Sequence, residues 1–127
     1  MKPKTPFPFR LGTTSYIIPA ELVENVSYLV SNMEDIELVL FDLDNGPSNI
    51  PGPDTIENLV RMAKENDLTY TVHLPLDLYY GETAENHLSL IKAQKVIQAT
   101  NQLIPWSYIA HLDGRLVRNN PHSDEYY

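Results

Sequence analysis

Cysteine is absent from the 127 residues, which removes disulfides, thiolate metal sites and a cysteine nucleophile together; any metal must take His, Asp or Glu ligands. Positive charge is scarce, with 9 Lys and Arg against 17 Asp and Glu and a formal charge of −8. Without a broad cationic surface, binding to a nucleic-acid backbone by net attraction is disfavoured. No apolar run reaches the roughly 18–20 residues a bilayer span needs. The opening Met1-Lys2-Pro3-Lys4-Thr5-Pro6 lacks the apolar stretch of a secretory signal, so a cytoplasmic protein without a membrane partner is expected. A glycine-rich phosphate loop and a serine nucleophile elbow are missing as well.

What is present suits one folded domain, since 43% of the residues are apolar. Phe9–Thr14 reads as a short first strand. Pro19 suits the first turn of a helix, and Leu22, Val23, Val26, Leu29 and Val30 give it one apolar face. Ile36–Phe41 is nearly continuous in apolar residues, as a parallel strand beneath helices should be. The Gly- and Pro-rich stretch Asp42–Pro53 reads as a loop, and Asp54-Thr55-Ile56-Glu57 as a capping box opening a second helix, with Asn66-Asp67 ending it. Leu68–Leu74 is a third strand stopped by Pro75. Asn86–Thr100 is a third helix with a core face of Leu90, Ala93, Val96 and Ile97, and Trp106–Leu112 is a fourth strand. Glu37, inside the second strand, is expected to pair with Arg10, because an unpaired charge there is costly. Tyr70, Tyr108 and Trp106 are expected to pack outward against helices, and His87 to be solvated.

This β-α-β-α-β-α-β order fits either a small doubly wound parallel sheet or the N-terminal half of a (β/α)8 barrel. In both, ligands bind at the carboxyl ends of the strands. His73 and His111 stand at equivalent strand ends, each followed by a loop-forming stretch, so two imidazoles on one rim could share a metal or flank a phosphate. A pair of hydrogen-bonded strand-end histidines without a ligand accounts for the same spacing.

Val72-His73-Leu74-Pro75-Leu76-Asp77-Leu78 resembles the strand-three signature of the AP-endonuclease and xylose-isomerase-like TIM barrels, and Ala110-His111-Leu112-Asp113-Gly114 resembles their strand-four His motif. Together with Phe9–Ala20, Glu37–Phe41, Leu68–Leu78 and His111–Arg115, taken in order over residues 9–115, the chain is similar to the cobamide-remodelling phosphodiesterases of that superfamily. The resemblance implies a partial barrel over residues 9–115 between an N-terminal tail, 1–8, and a polar C-terminal tail, 116–127. It implies a metal-dependent hydrolase cutting the nucleotide loop of a corrinoid, with His73 and His111 as ligands of zinc or manganese. Asp42 and Asp44 become candidates for the same rim, although Asp-x-Asp-Asn-Gly is also turn chemistry, and Asp113 a candidate to orient a ligand. Two imidazoles make an incomplete metal site, so catalysis by this length of chain is in question. A sugar isomerase or epimerase of the same superfamily and a non-catalytic half-barrel are the competing readings. Half a barrel would also leave an uncovered face, through which a homodimer is expected.

Overall fold

The computed structural model describes residues 6–79 and 83–113. Its elements run β1 (Gly12–Thr14), α1 (Leu22–Leu29), β2 (Asp35–Val39), α2 (Pro53–Asn66), β3 (Thr69–His73), β4 (Leu78–Tyr79), α3 (Thr83–Thr100), β5 (Tyr108–Ile109) and β6 (Leu112–Asp113). The protein is α/β. β1, β2, β3 and β5 form a parallel sheet in that spatial order, so among the described residues strand order follows chain order without a reversal.

Alternation along the central strands decides where the core lies. Ile36 and Leu38 of β2, and Tyr70 and Val72 of β3, are each at most 1% exposed. Val26 and Leu29 of α1, Leu59 and Met62 of α2 and Val96 of α3 join the same cluster, so all three helices pack on one face of the sheet. The Tyr70 hydroxyl donates to the Leu59 carbonyl at 2.9 Å, and burial holds this phenol well above its ordinary pKa. The Tyr108 hydroxyl lies 3.1 Å from Thr100 Oγ1, so both tyrosines meet helices as expected.

Several boundaries differ from the sequence-based expectation. β1 is confined to Gly12–Thr14, and β2 stops at Val39 because a side chain takes over its edge: Asn49 donates to the Val39 carbonyl (2.9 Å) and accepts from the Phe41 N–H (2.7 Å). Pro19 lies outside α1. The loop before α1 is instead held by Asn25, 1% exposed, whose carbonyl oxygen accepts from the Ile17 and Ile18 N–H groups, both at 3.0 Å. Its amide donates toward the Ile18, Ala20 and Glu21 carbonyls, so a buried side chain satisfies the turn entirely. The capping box of α2 does not form. The helix starts at Pro53 after Gly52, which puts Asp54 inside the first turn, where its charge meets the positive helix end. At the far end Asp67 adopts a left-handed conformation, φ 50°, and terminates α2 as anticipated.

Arg10 does not pair with Glu37. Gly12 is in register with Asp35, so Arg10 lies beyond the lower end of β2, where its guanidinium donates to the Asp67 carboxylate (3.1 Å) and to the Asp67 (2.7 Å) and Glu34 (3.1 Å) carbonyls. In α3, Val96 and Ala93 turn toward the core, but Leu90 and Ile97 are 68% and 39% exposed. Buried Ser89 and Thr100 complete that face: Ser89 Oγ bridges the Tyr79 N–H and carbonyl, and Thr100 donates to the Val96 carbonyl. The fourth strand divides in two. Pro75 ends β3, the chain resumes at Leu78–Tyr79, and this segment draws Leu112–Asp113 into a separate parallel ribbon. Trp106, expected against a helix, is 73% exposed and lines a cavity with Asp35, Thr69 and Thr71 on the opposite face.

Gly12 is required by proximity, since a Cβ there would stand 2.9 Å from the Asp35 carbonyl oxygen and 3.0 Å from its Cβ. Gly12→Ala is therefore expected to cost about 1–3 kcal/mol by forcing β1 away from β2, read as a lowered Tm. An unchanged Tm would show that β1 is not held at this register.

Candidate functional site

β3 ends on His73, and His111 follows β5, its neighbour in the sheet, by two residues. Parallel pairing of Val72 with Tyr108 and His73 with Ile109 therefore delivers both imidazoles to the carboxyl-end rim. Their rings stack with centroids 5.0 Å apart and planes 20° from parallel. His73 Nδ1 lies 2.7 Å from the Leu74 carbonyl oxygen, an acceptor, so Nδ1 carries the proton and donates. That leaves the His73 Nε2 lone pair for a ligand, the arrangement usual in metal-binding histidines. His73 is half-buried and His111 exposed, so one ring is fixed and the other open to solvent.

The carboxylates expected on this rim do not join the imidazoles. Asp42 bonds Lys95 Nζ at 2.8 Å, and Asp44 bonds Lys92 Nζ at 3.0 Å. Lys92 also bonds Asp77, in the loop after β3, and its side chain is only 14% exposed. The bond to Lys95 is the chief reason the Asp42 carboxyl is held below the usual carboxylate range. Burial opposes the charge on Lys92, yet its bonds to Asp77 and Asp44 outweigh that cost and raise its pKa above the ordinary lysine value. Asp113 sits in β6, in register with Tyr79. His87 is exposed, in keeping with a solvated residue, and His122 lies outside the described residues.

Stacking therefore sets the two imidazoles side by side, with the lone pair of each ring lying in its own plane. No group of three or more His, Cys, Asp or Glu side chains able to hold a metal occurs among the described residues. Two ligands fill part of a coordination sphere, and a catalytic zinc site ordinarily takes three from the protein.

Lys92 and Lys95 escaped the sequence reading, although the signal was there. Two lysines three positions apart on one helix face the loops carrying Asp42, Asp44 and Asp77, and helix 3.6-periodicity puts both on the same side. Together they strap the β2–α2 and β3–β4 loops to α3. A cavity of about 260 Å³ opens at the ends of β1 and β2, lined by Ser15, Tyr16, Val39, Phe41 and Asn49. No helix among the described residues is long and apolar enough to cross a membrane.

Lys92→Met keeps the apolar stem and removes the charge. Amide exchange across residues 42–48 and 76–79 is expected to accelerate at least tenfold while that of β2 and β3 changes little; equal exchange in variant and wild type would deny Lys92 its strapping role. Asp42, with its pKa lowered on folding, contributes stability that is present above its unfolded value and lost as pH falls through the folded one. The β2–α2 loop should accordingly loosen in acid, below about pH 4, and Asp42→Asn should abolish that transition. Comparison with known proteins adds no relative: no family model, curated protein or solved structure matches the chain.

Proposed function

We propose that this chain forms one wall of a metal-dependent phosphodiesterase barrel resembling the cobamide-remodelling enzymes, with His73 and His111 as two of its metal ligands. The carrying observation is the stacked imidazole pair at neighbouring strand ends, with His73 oriented by the Leu74 carbonyl. The half-barrel architecture is supported by the sheet itself. A doubly wound sheet reverses its strand order to place helices on both faces, whereas here the order is sequential and all three helices share one face.

Zinc or manganese, when bound, supplies Lewis acidity toward a phosphoryl oxygen and lowers the pKa of water. The contribution of this chain is positional. His73 presents Nε2 from a ring fixed by its own backbone, His111 offers the second nitrogen from the adjoining strand, and Lys92 and Lys95 keep the acidic loops off the imidazoles. A corrinoid whose nucleotide loop carries the phosphodiester is the substrate class implied by the motifs around the two histidines. The remaining ligands belong to a complementary wall, so the 127-residue chain alone is expected to bind metal weakly and to turn over no substrate.

Titration calorimetry with zinc and manganese is the test. Wild type is expected to take up one ion, and His73→Ala and His111→Ala each to bind at least tenfold more weakly. Equal uptake by all three proteins would remove the pair from any metal site. Chelator-sensitive hydrolysis of a corrinoid phosphodiester by the chain alone would show that no second wall is needed.

A further inference from the structure

Asn-Gly occurs once in the sequence, at Asn45-Gly46, and it stands at the tip of the β2–α2 loop, between Asp42 and Ser48, which pair in a single antiparallel bridge. Both residues are exposed, and the Asn45 carboxamide makes no hydrogen bond among the described residues. Asn49, in the same loop, differs on each count. Its amide is spent on the Val39 carbonyl and the Phe41 N–H, and the β-branched Ile50 follows it. Asn25 is buried and bonded through both ends of its amide.

The backbone around Asn45 is lightly tied. The Gly46 N–H donates to the Leu43 carbonyl and the Leu43 N–H to the Pro47 carbonyl, each at 3.2 Å, the long end of the amide range. Packing favours glycine at this position, because a Cβ on residue 46 would stand 3.1 Å from Leu43 Cβ and 3.2 Å from its Cδ1. The same missing side chain leaves the Gly46 nitrogen open to approach by the carboxamide that precedes it.

We infer that Asn45 is a site of spontaneous covalent modification, and that its isoaspartyl product loosens the loop that Asp42 and Asp44 tether to α3. The Gly46 nitrogen gives its proton to solvent and attacks Asn45 Cγ; the Cγ–Nδ2 bond breaks, ammonia leaves and a succinimide ring closes. Water then opens the ring. Addition at Cγ yields aspartate on the original backbone. Addition at the main-chain carbonyl carbon of residue 45 yields isoaspartate, whose backbone runs through the former side chain and is one methylene longer. Water is the co-reactant and ammonia the leaving group, so the step needs no metal and no part of the histidine pair. Either product adds one negative charge beside Asp44 to a chain that already carries −8. The extra methylene of isoaspartate falls between Asp44, held by Lys92, and Ser48, bridged to Asp42, which Lys95 holds in turn. The turn that joins these anchors therefore loses its register.

Peptide mapping by mass spectrometry after several weeks in neutral buffer tests the site. Asn45 is expected to convert at least about tenfold faster than Asn49, and Gly46→Ala to slow that conversion by about tenfold, since the added methyl shields the nitrogen. Conversion of Asn45 no faster than that of Asn49 would overturn the inference. The converted protein, separated by ion exchange, is expected to show amide exchange across residues 42–48 at least about threefold faster than fresh wild type. Asn45→Asp carries the charge on an unaltered backbone and is expected to stay within about twofold of wild type. Equal exchange in converted and fresh protein, or the same acceleration in Asn45→Asp, would overturn the link between the isoaspartyl backbone and the loop.

Discussion

Parallel strands placed side by side in chain order leave their connecting helices little choice. Each crossover is right-handed by strong default, and three taken in the same direction lay three helices on one face of the sheet. Ile36, Leu38, Tyr70 and Val72 are buried there, while Asp35, Glu37, Thr71 and His73 alternate onto the other side. The polar face at which the histidine pair stands follows from this one-sidedness. The hydrophobic effect consumes one face, and the other is free to carry polar groups.

The rim is built by the same alternation. Because β3 and β5 are parallel and adjacent, a histidine at the end of one and a histidine just past the end of the other arrive together. The loops around them are acidic, carrying Asp42, Asp44 and Asp77. Lys92, largely buried between Asp44 and Asp77, and Lys95 on Asp42 neutralise them and hold them against α3. A lysine with a raised pKa stays charged throughout the physiological range, so the strap does not open as pH rises toward neutrality and beyond.

Element type was readable where the pattern was strong. The apolar run of β2, the β-branched and aromatic β3 and the amphipathic α2 all stand where the sequence puts them, and the two histidines meet as their equivalent positions imply. Side-chain-to-backbone bonding was not readable. Asn25 looks like a polar helix position and Asn49 like a loop residue in the sequence, yet each replaces backbone pairing from a distance of several residues, closing the loop before α1 and ending β2 early. The core face of α3 misled for a related reason. Leu90 and Ile97 have the right chemistry, but Ser89 and Thr100 bond backbone and a tyrosine, and their contacts fix the rotation of the helix. Arg10 and Glu37 failed to pair because strand register, invisible in a single sequence, puts them two layers apart.

A chain without cysteine allows the one-sided sheet to be tested directly, because a single introduced thiol has no competitor. Thr71 and Val72 are consecutive in β3 and point to opposite faces. Thr71→Cys is expected to react with a thiol reagent in the native protein within a few fold of the rate of the unfolded chain, and Val72→Cys only upon unfolding, at least a hundredfold more slowly. Protection of both positions would place a covering layer on the second face and contradict the account.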